Sequence, residues 1–172
     1  MAERIVKINS PFFETAASGI KSNEDGYFGM SLNEQEANQL LGDVIRSVVE
    51  SEGLSGYTRL EVSIRDSLVR VTGEAEVRKG IVGGRVVIKD LTFERAGEWG
   101  VRLARNPDYD VDAGLLTGIV NKRVGQVFKD LNSAVRKAVG DQLTLRGIGL
   151  KGFGIVPEDD KLLVGMEGFP IR

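Results

Sequence analysis

Three short patterns in this 172-residue chain have residue types and spacings that could do chemistry. Gly147-Ile148-Gly149-Leu150-Lys151-Gly152 is a literal G-x-G-x-x-G. Where that motif holds a dinucleotide, a helix must start immediately after the glycine turn, so that its first amides face the pyrophosphate. Here Pro157 and the turn-forming Glu158-Asp159-Asp160 follow within a few residues, so no helix can start where the phosphate would need one. The phosphate reading fails on that context. Ser18-Gly19-Ile20-Lys21 matches S-x-x-K, in which a lysine activates a serine nucleophile, but the S-D-N and K-T-G companions of that arrangement are missing. Asp108, Asp110 and Asp112 form a D-x-D-x-D like the start of a calcium loop. The twelfth position is Ile119 rather than a bidentate Glu, and Gly114 falls one place late for the sharp turn. Helix capping within a solvated loop accounts better for the three aspartates.

Composition narrows the chemistry further. Without Cys there is no disulfide, zinc-thiolate site or thiol nucleophile, and without His the usual general base and commonest metal ligand are missing. No catalytic residue, metal site or cofactor is assigned, and the expectation is a protein that is not an enzyme. With 23 basic and 25 acidic residues interspersed, the chain has no electrostatic footprint for nucleic acid. Hydrophobic residues at 41% and charged residues at 28% are ordinary for one globular domain. No apolar run reaches about 18 residues, and MAERIVKINSPFF lacks the apolar stretch of a signal peptide. The chain as written reads as soluble and cytoplasmic, or as a cell-envelope protein if a leader has been removed.

The elements that would position any site follow from periodicity. Residues 1–30 read as an N-terminal segment of strand, short helical turn and loop, ahead of a core over 31–168. Asn33 and Glu36 have the spacing of a capping box. Ala37, Leu40, Leu41, Val44, Ile45, Val48 and Val49 then recur on one helical face, and Gly53 supplies a terminus. From Tyr57 the period becomes two. Leu60, Val62 and Ile64 alternate with polar residues, a turn at Asp66-Ser67 leads to a second strand, and a third strand carries a bulge near Asp90. Residues 57–96 are therefore expected to form an antiparallel meander, with 97–112 part strand and part loop. A long helix is expected from Asp112 to about Val139, with Leu116, Val120, Val124, Val127, Leu131 and Val135 along one stripe. It would be about 40 Å long and end at Gly140. A final hairpin brings Gly147 and Gly149 onto one strand face, where missing side chains permit close approach and sharp bending. Curvature is their expected use. Trp99, the only tryptophan, lies between Gly97 and Gly100, as an exposed contact or as a lid on the core.

The run Leu32, Asn33, Glu36, Asn38, Leu40 and Leu41, followed by the meander, a long helix and a last hairpin from Leu143 to Gly165, resembles the small bacterial branch of the tubular lipid-binding (TULIP) superfamily, LmeA-like proteins. Over roughly residues 30–168 the resemblance implies an α+β fold, with a curved antiparallel sheet wrapped around a long amphipathic helix and a second, N-terminal helix. It also implies an apolar groove for acyl chains, without catalysis. The aliphatic stripes nominate Leu40, Leu41, Val44, Val48, Leu116, Val120, Val124, Val127 and Leu131 as ligand-lining residues. The expected partner is a lipid or hydrophobic small molecule. A protein partner or second copy is the alternative, with a closed core and a structural or assembly role. Peripheral membrane contact would come from the basic flank of Lys122, Arg123, Lys129, Arg136 and Lys137, for which solvated helix surface is the simpler account.

Overall fold

The computed structural model describes residues 7–51, 55–79 and 82–171. The N-terminal segment is more regular than its sequence suggests. Pro11–Ser22 forms helix α1, with proline at its first turn and Phe12, Phe13, Ala16, Ala17 and Ile20 buried on one face. Residues 4–6 of the expected first strand lie outside the described residues. Strand β1 (Tyr27–Leu32) leads into helix α2 (Glu34–Ser51). The capping box is present: the Asn33 side chain accepts from Glu36 N at 2.9 Å, and the Glu36 carboxylate accepts from Asn33 N at 3.2 Å. Gly53, the expected helix end, falls outside the described residues.

The meander is strands β2 (Ser55–Arg65), β3 (Leu68–Lys79) and β4 (Val82–Arg95). Asp66 and Ser67 both take positive φ, 53° and 62°, which is the primed turn that suits strand twist in a two-residue hairpin. The expected bulge in β4 is found between Ile88 and Asp90. Strands β5 (Val101–Leu103) and β6 (Asp108–Asp112) share the far edge of β4, giving a five-stranded antiparallel sheet. Its buried face is built in rows across paired strands: Val62 with Val71 and Leu91, Ile64 with Val69 and Phe93, and Ala75 with Val86 and Val111.

The long helix is broken. After a 3₁₀ turn at Gly114–Leu116, helix α3 spans Thr117–Lys129 and helix α4 spans Leu131–Thr144. Asp130 leaves helical geometry at φ −134° and ψ 71°, and its carboxylate accepts from Ser133 N at 3.1 Å and Ser133 Oγ at 2.7 Å. A capping aspartate followed by a hydroxyl three residues later starts a new helix inside an unbroken apolar stripe. Asn132 fixes the junction: its amide donates to Val101 O at 2.8 Å and accepts from Val101 N at 3.2 Å. Gly140 ends nothing. It lies inside α4, where the Leu150 side chain comes within 3.6 Å of its Cβ direction.

Strands β7 (Ile148–Glu158) and β8 (Lys161–Pro170) form the last hairpin and join β1 in a second, three-stranded sheet. The fold is α+β with antiparallel sheets and no closed barrel. α1 packs on β1 and β8, α2 on β2, and α4 on β7, while α4 also meets α1, α2 and α3.

The glycines of the hairpin mainly seat aromatic rings. A Cβ on Gly149 would lie 2.4 Å from the ring of its cross-strand partner Phe169. Gly154 and Gly165 are paired across β7 and β8, and Trp99 covers both: a Cβ on Gly154 would stand 2.7 Å from Trp99 Cβ, and one on Gly165 3.1 Å from the indole edge. Bending contributes at one point, a bulge between Leu150 and Gly152. Trp99 packs against the glycine pair and is still 55% exposed.

Candidate functional site

The buried face of the five-stranded sheet carries a helix at each edge. α2 lies over β2, with Gly42 close to Thr58 Oγ1. α3 lies over β6, with Phe128 edge-on to Tyr109 at 5.1 Å between ring centroids. Strands β3 and β4 run between, and Ala75, Val77, Val86 and Ile88 form a buried apolar floor there, with β7 also packed against both strands. Gly125 stands beside Tyr109 Oη, where a Cβ would be 3.3 Å away, which lets α3 approach β6 closely.

The two helices are buried to different depths. On α2, Leu40, Leu41 and Val44 are buried in the core cluster, whereas the side chain of Val48 lies outside what the structure describes. Leu131, at the start of α4, is buried as well. On α3 only Val120 and Phe128 of its 13 residues are buried, against six of 14 on α4. Val124 and Val127, with Leu116 just before the helix, are half-buried and pack against the core without being enclosed by it. The nominated residues thus divide into a buried set, Leu40, Leu41, Val44, Val120 and Leu131, and a partly uncovered set, Leu116, Val124 and Val127.

The surroundings of that stripe are aliphatic and aromatic. The titrating groups with displaced pKa values sit elsewhere. Burial raises the Asp43 carboxyl, an effect partly offset by the Ser10 hydroxyl and Gln39 amide beside it. The Thr92 hydroxyl, with Arg105 and Arg70, lowers Asp90, and Ser133 lowers Asp130. Arg146 lowers Glu14. Asp110, with Asp108, raises Lys89, which meets the Asp110 carboxylate at 2.8 Å. Among the described residues no group of three or more His, Cys, Asp or Glu could hold a metal ion.

Asp108, Asp110 and Asp112 are alternate residues of β6, a strand rather than the capped, solvated loop expected for them. Their side chains are strung out along an exposed strand face about 6.5 Å apart, too extended to wrap a calcium ion. Ser18 and Lys21 are both exposed on α1, and Ser18 O accepts from Ser22 Oγ at 2.8 Å. Two surface clefts, of about 260 and 290 Å³, lie by Ser10, Met30 and Gln39 and by Arg136, Gly140 and Leu150, and none of the nine nominated residues lines either.

Sequence reasoning missed a buried polar centre near the N-terminus. The Arg146 side chain, 5% exposed, donates to Ile8 O at 2.9 Å, Gln142 O at 2.9 Å and Glu14 at 2.8 Å, and lies 5.5 Å from the Phe13 ring centre. Gln142, fully buried, accepts from Ile8 N at 2.8 Å. The one local signal was an Arg four residues after a Gln on the buried face of a helix.

No family model matches this chain, and no curated protein matches it. Among solved structures, the chain is similar to a lipopolysaccharide binding protein, with 14% identity and a TM-score of 0.35 over 87% of this chain and 45% of that one. The chain thus spans less than half the length of that protein. No helix among the described residues is long and apolar enough to cross a membrane.

Proposed function

We propose that this chain is a non-enzymatic binder of a lipid or other hydrophobic ligand, held between α2 and α3 over the floor formed by β3 and β4. One observation carries the reading: the apolar stripe Leu116, Val124 and Val127 packs against the core and is only half covered by the fold, whereas Leu40, Leu41 and Val44 of α2 are buried. A site walled chiefly by Leu and Val, with the Thr58 and Tyr109 hydroxyls as its polar side-chain atoms, suits an acyl chain better than a sugar or nucleotide. Replacement of a half-buried aliphatic surface by a ligand methylene is worth about 0.8 kcal/mol per CH₂, enough for a chain of ordinary length to be retained. The resemblance to the tubular lipid-binding superfamily points the same way and supplies the expected ligand class.

The burial of Leu40, Leu41, Val44 and Leu131 favours the alternative, an assembly module whose core is already closed. Native mass spectrometry after gentle purification separates the two. A ligand site predicts a retained acyl-chain mass that Val124→Trp removes, with circular dichroism and melting temperature little changed. A closed core predicts ligand-free protein in every preparation and, for Val124→Trp, an overpacking loss of about 1–3 kcal/mol.

A further inference from the structure

The most exposed large apolar side chain among the described residues is Leu115, at 97%, and Ile119 one helical turn later is 63% exposed. The turn that presents Leu115 is held in place. Gly114 takes φ +54°, Leu116 N donates to Ala113 O at 2.9 Å, and the Thr117 hydroxyl donates to Gly114 O at 2.8 Å and accepts from Ala113 N at 3.0 Å. Leu116 turns inward to the core while Leu115 is directed out. This turn follows the end of β6, beside the start of β4, where Ala113 lies against Gly84.

Charge distinguishes this surface from a stray apolar patch. From Ala113 to Lys129 there is no acidic residue, while Lys122, Arg123 and Lys129 are basic. Leu115, Ile119, Lys122 and Gln126 follow one another at spacings of three and four, so an exposed face that runs from the 3₁₀ turn along α3 passes from two aliphatics to a lysine and a neutral amide. Arg123 is engaged within the fold and adds to the field rather than to the free contacts. The acids that flank this stretch in the sequence are Asp112, opposite Arg85 across the sheet edge, and Asp130, whose carboxylate accepts from Ser133.

We propose that this tip docks on an anionic lipid bilayer, with Leu115 and Ile119 entering the headgroup region and Lys122 meeting lipid phosphates. Two protruding aliphatics on a convex turn offer far less than the roughly 800 Å² per partner of a stable protein interface. A bilayer needs no shape complementarity, and it takes up protruding apolar side chains beside basic ones. The docking does not require that the internal site hold a ligand.

The test is vesicle flotation of the full chain with phosphatidylcholine vesicles, with and without 30 mol% phosphatidylglycerol, a fraction on the order of that in an anionic leaflet. The expected result is binding to the anionic vesicles alone, weakened by salt and reduced at least about tenfold in Leu115→Ser/Ile119→Ser and in Lys122→Glu. Both variants change exposed positions and should keep the wild-type melting temperature. Wild-type protein that stays off anionic vesicles, or variants that bind as well as wild type, would overturn the proposal. So would a dimer in analytical ultracentrifugation that the serine variant dissolves, since the tip would then meet a second copy. A retained acyl mass in a protein that fails to float would leave the ligand reading standing and this one refuted.

Discussion

Replacing Gly154 by Ala tests why the last hairpin is rich in glycine. The new Cβ would lie 2.7 Å from Trp99 Cβ and 3.3 Å from Trp99 Cγ, so the indole must lift from its seat. Trp99 is 55% exposed, and the covered remainder corresponds to roughly 100 Å² of a tryptophan surface. At about 25 cal/mol per Å² the seat is worth about 2.5 kcal/mol at most. Gly→Ala at an unstrained strand position gains about 0.4–1 kcal/mol through the unfolded chain. The net expectation is a loss of about 1.5–2 kcal/mol for Gly154→Ala. In a Trp99→Ala background the clash is absent, and the same substitution should become neutral or stabilising. Urea denaturation followed by circular dichroism gives the four stabilities of this cycle. Trp99 fluorescence, from the only tryptophan in the chain, should also shift to the red in the single variant. Equal effects of Gly154→Ala in both backgrounds, with emission unchanged, would refute the claim that this glycine exists to seat the ring.

Two further outcomes concern polar groups in the interior. Arg146→Ala leaves Ile8 O, Gln142 and the Phe13 face without their partner, and should cost about 3 kcal/mol in urea denaturation; Arg146→Lys should restore only part, because one ammonium cannot reach acceptors on both the N-terminal segment and α4. Asp43 is buried and its folded-state pKa is raised, so the folded state holds the proton more tightly than the unfolded chain, whose value is near 3.8. Stability then falls as pH rises from about that value through the folded pKa, and the penalty persists at neutral pH. Asp43→Asn keeps the shape and removes the charge, so it should raise the urea midpoint at pH 7 and flatten that part of the pH profile. An unchanged profile would show that Asp43 contributes nothing to it.

Local features were legible where a short segment decides its own geometry. Asn33 and Glu36 cap α2 because both partners lie within one turn. The Asp66-Ser67 hairpin and the β4 bulge near Asp90 follow from alternation and where it breaks. α1 was harder to see, because Gly19 and paired aromatics dilute its helical signal and its stability comes from packing on β1, β8 and α4. The break at Asp130 was invisible to periodicity, since the apolar stripe continues across it. It takes the Asp130 carboxylate, accepting from Ser133 N, to cap the second helix and Val101, far away in sequence, to hold Asn132.

The candidate site shows the same division. The sequence alone established that Val120, Val124 and Val127 share one apolar helical stripe, because a helix imposes its period on side-chain direction whatever it packs against, whereas Leu116 and Leu131, expected on the same helix, fall in the 3₁₀ turn before it and in α4 after it. It also removed thiol and imidazole chemistry outright, since those groups are absent from the chain. Only the tertiary structure decided that α2 and α3 occupy opposite edges of one sheet face, that α2 is buried while α3 is half covered, and that Leu115 is turned outward. Burial depends on what other segments lie across from a residue, and no local pattern contains that information. The hairpin glycines make the point most directly: a missing side chain is visible in sequence, but the ring that fills its place belongs to Trp99, 55 residues earlier than Gly154.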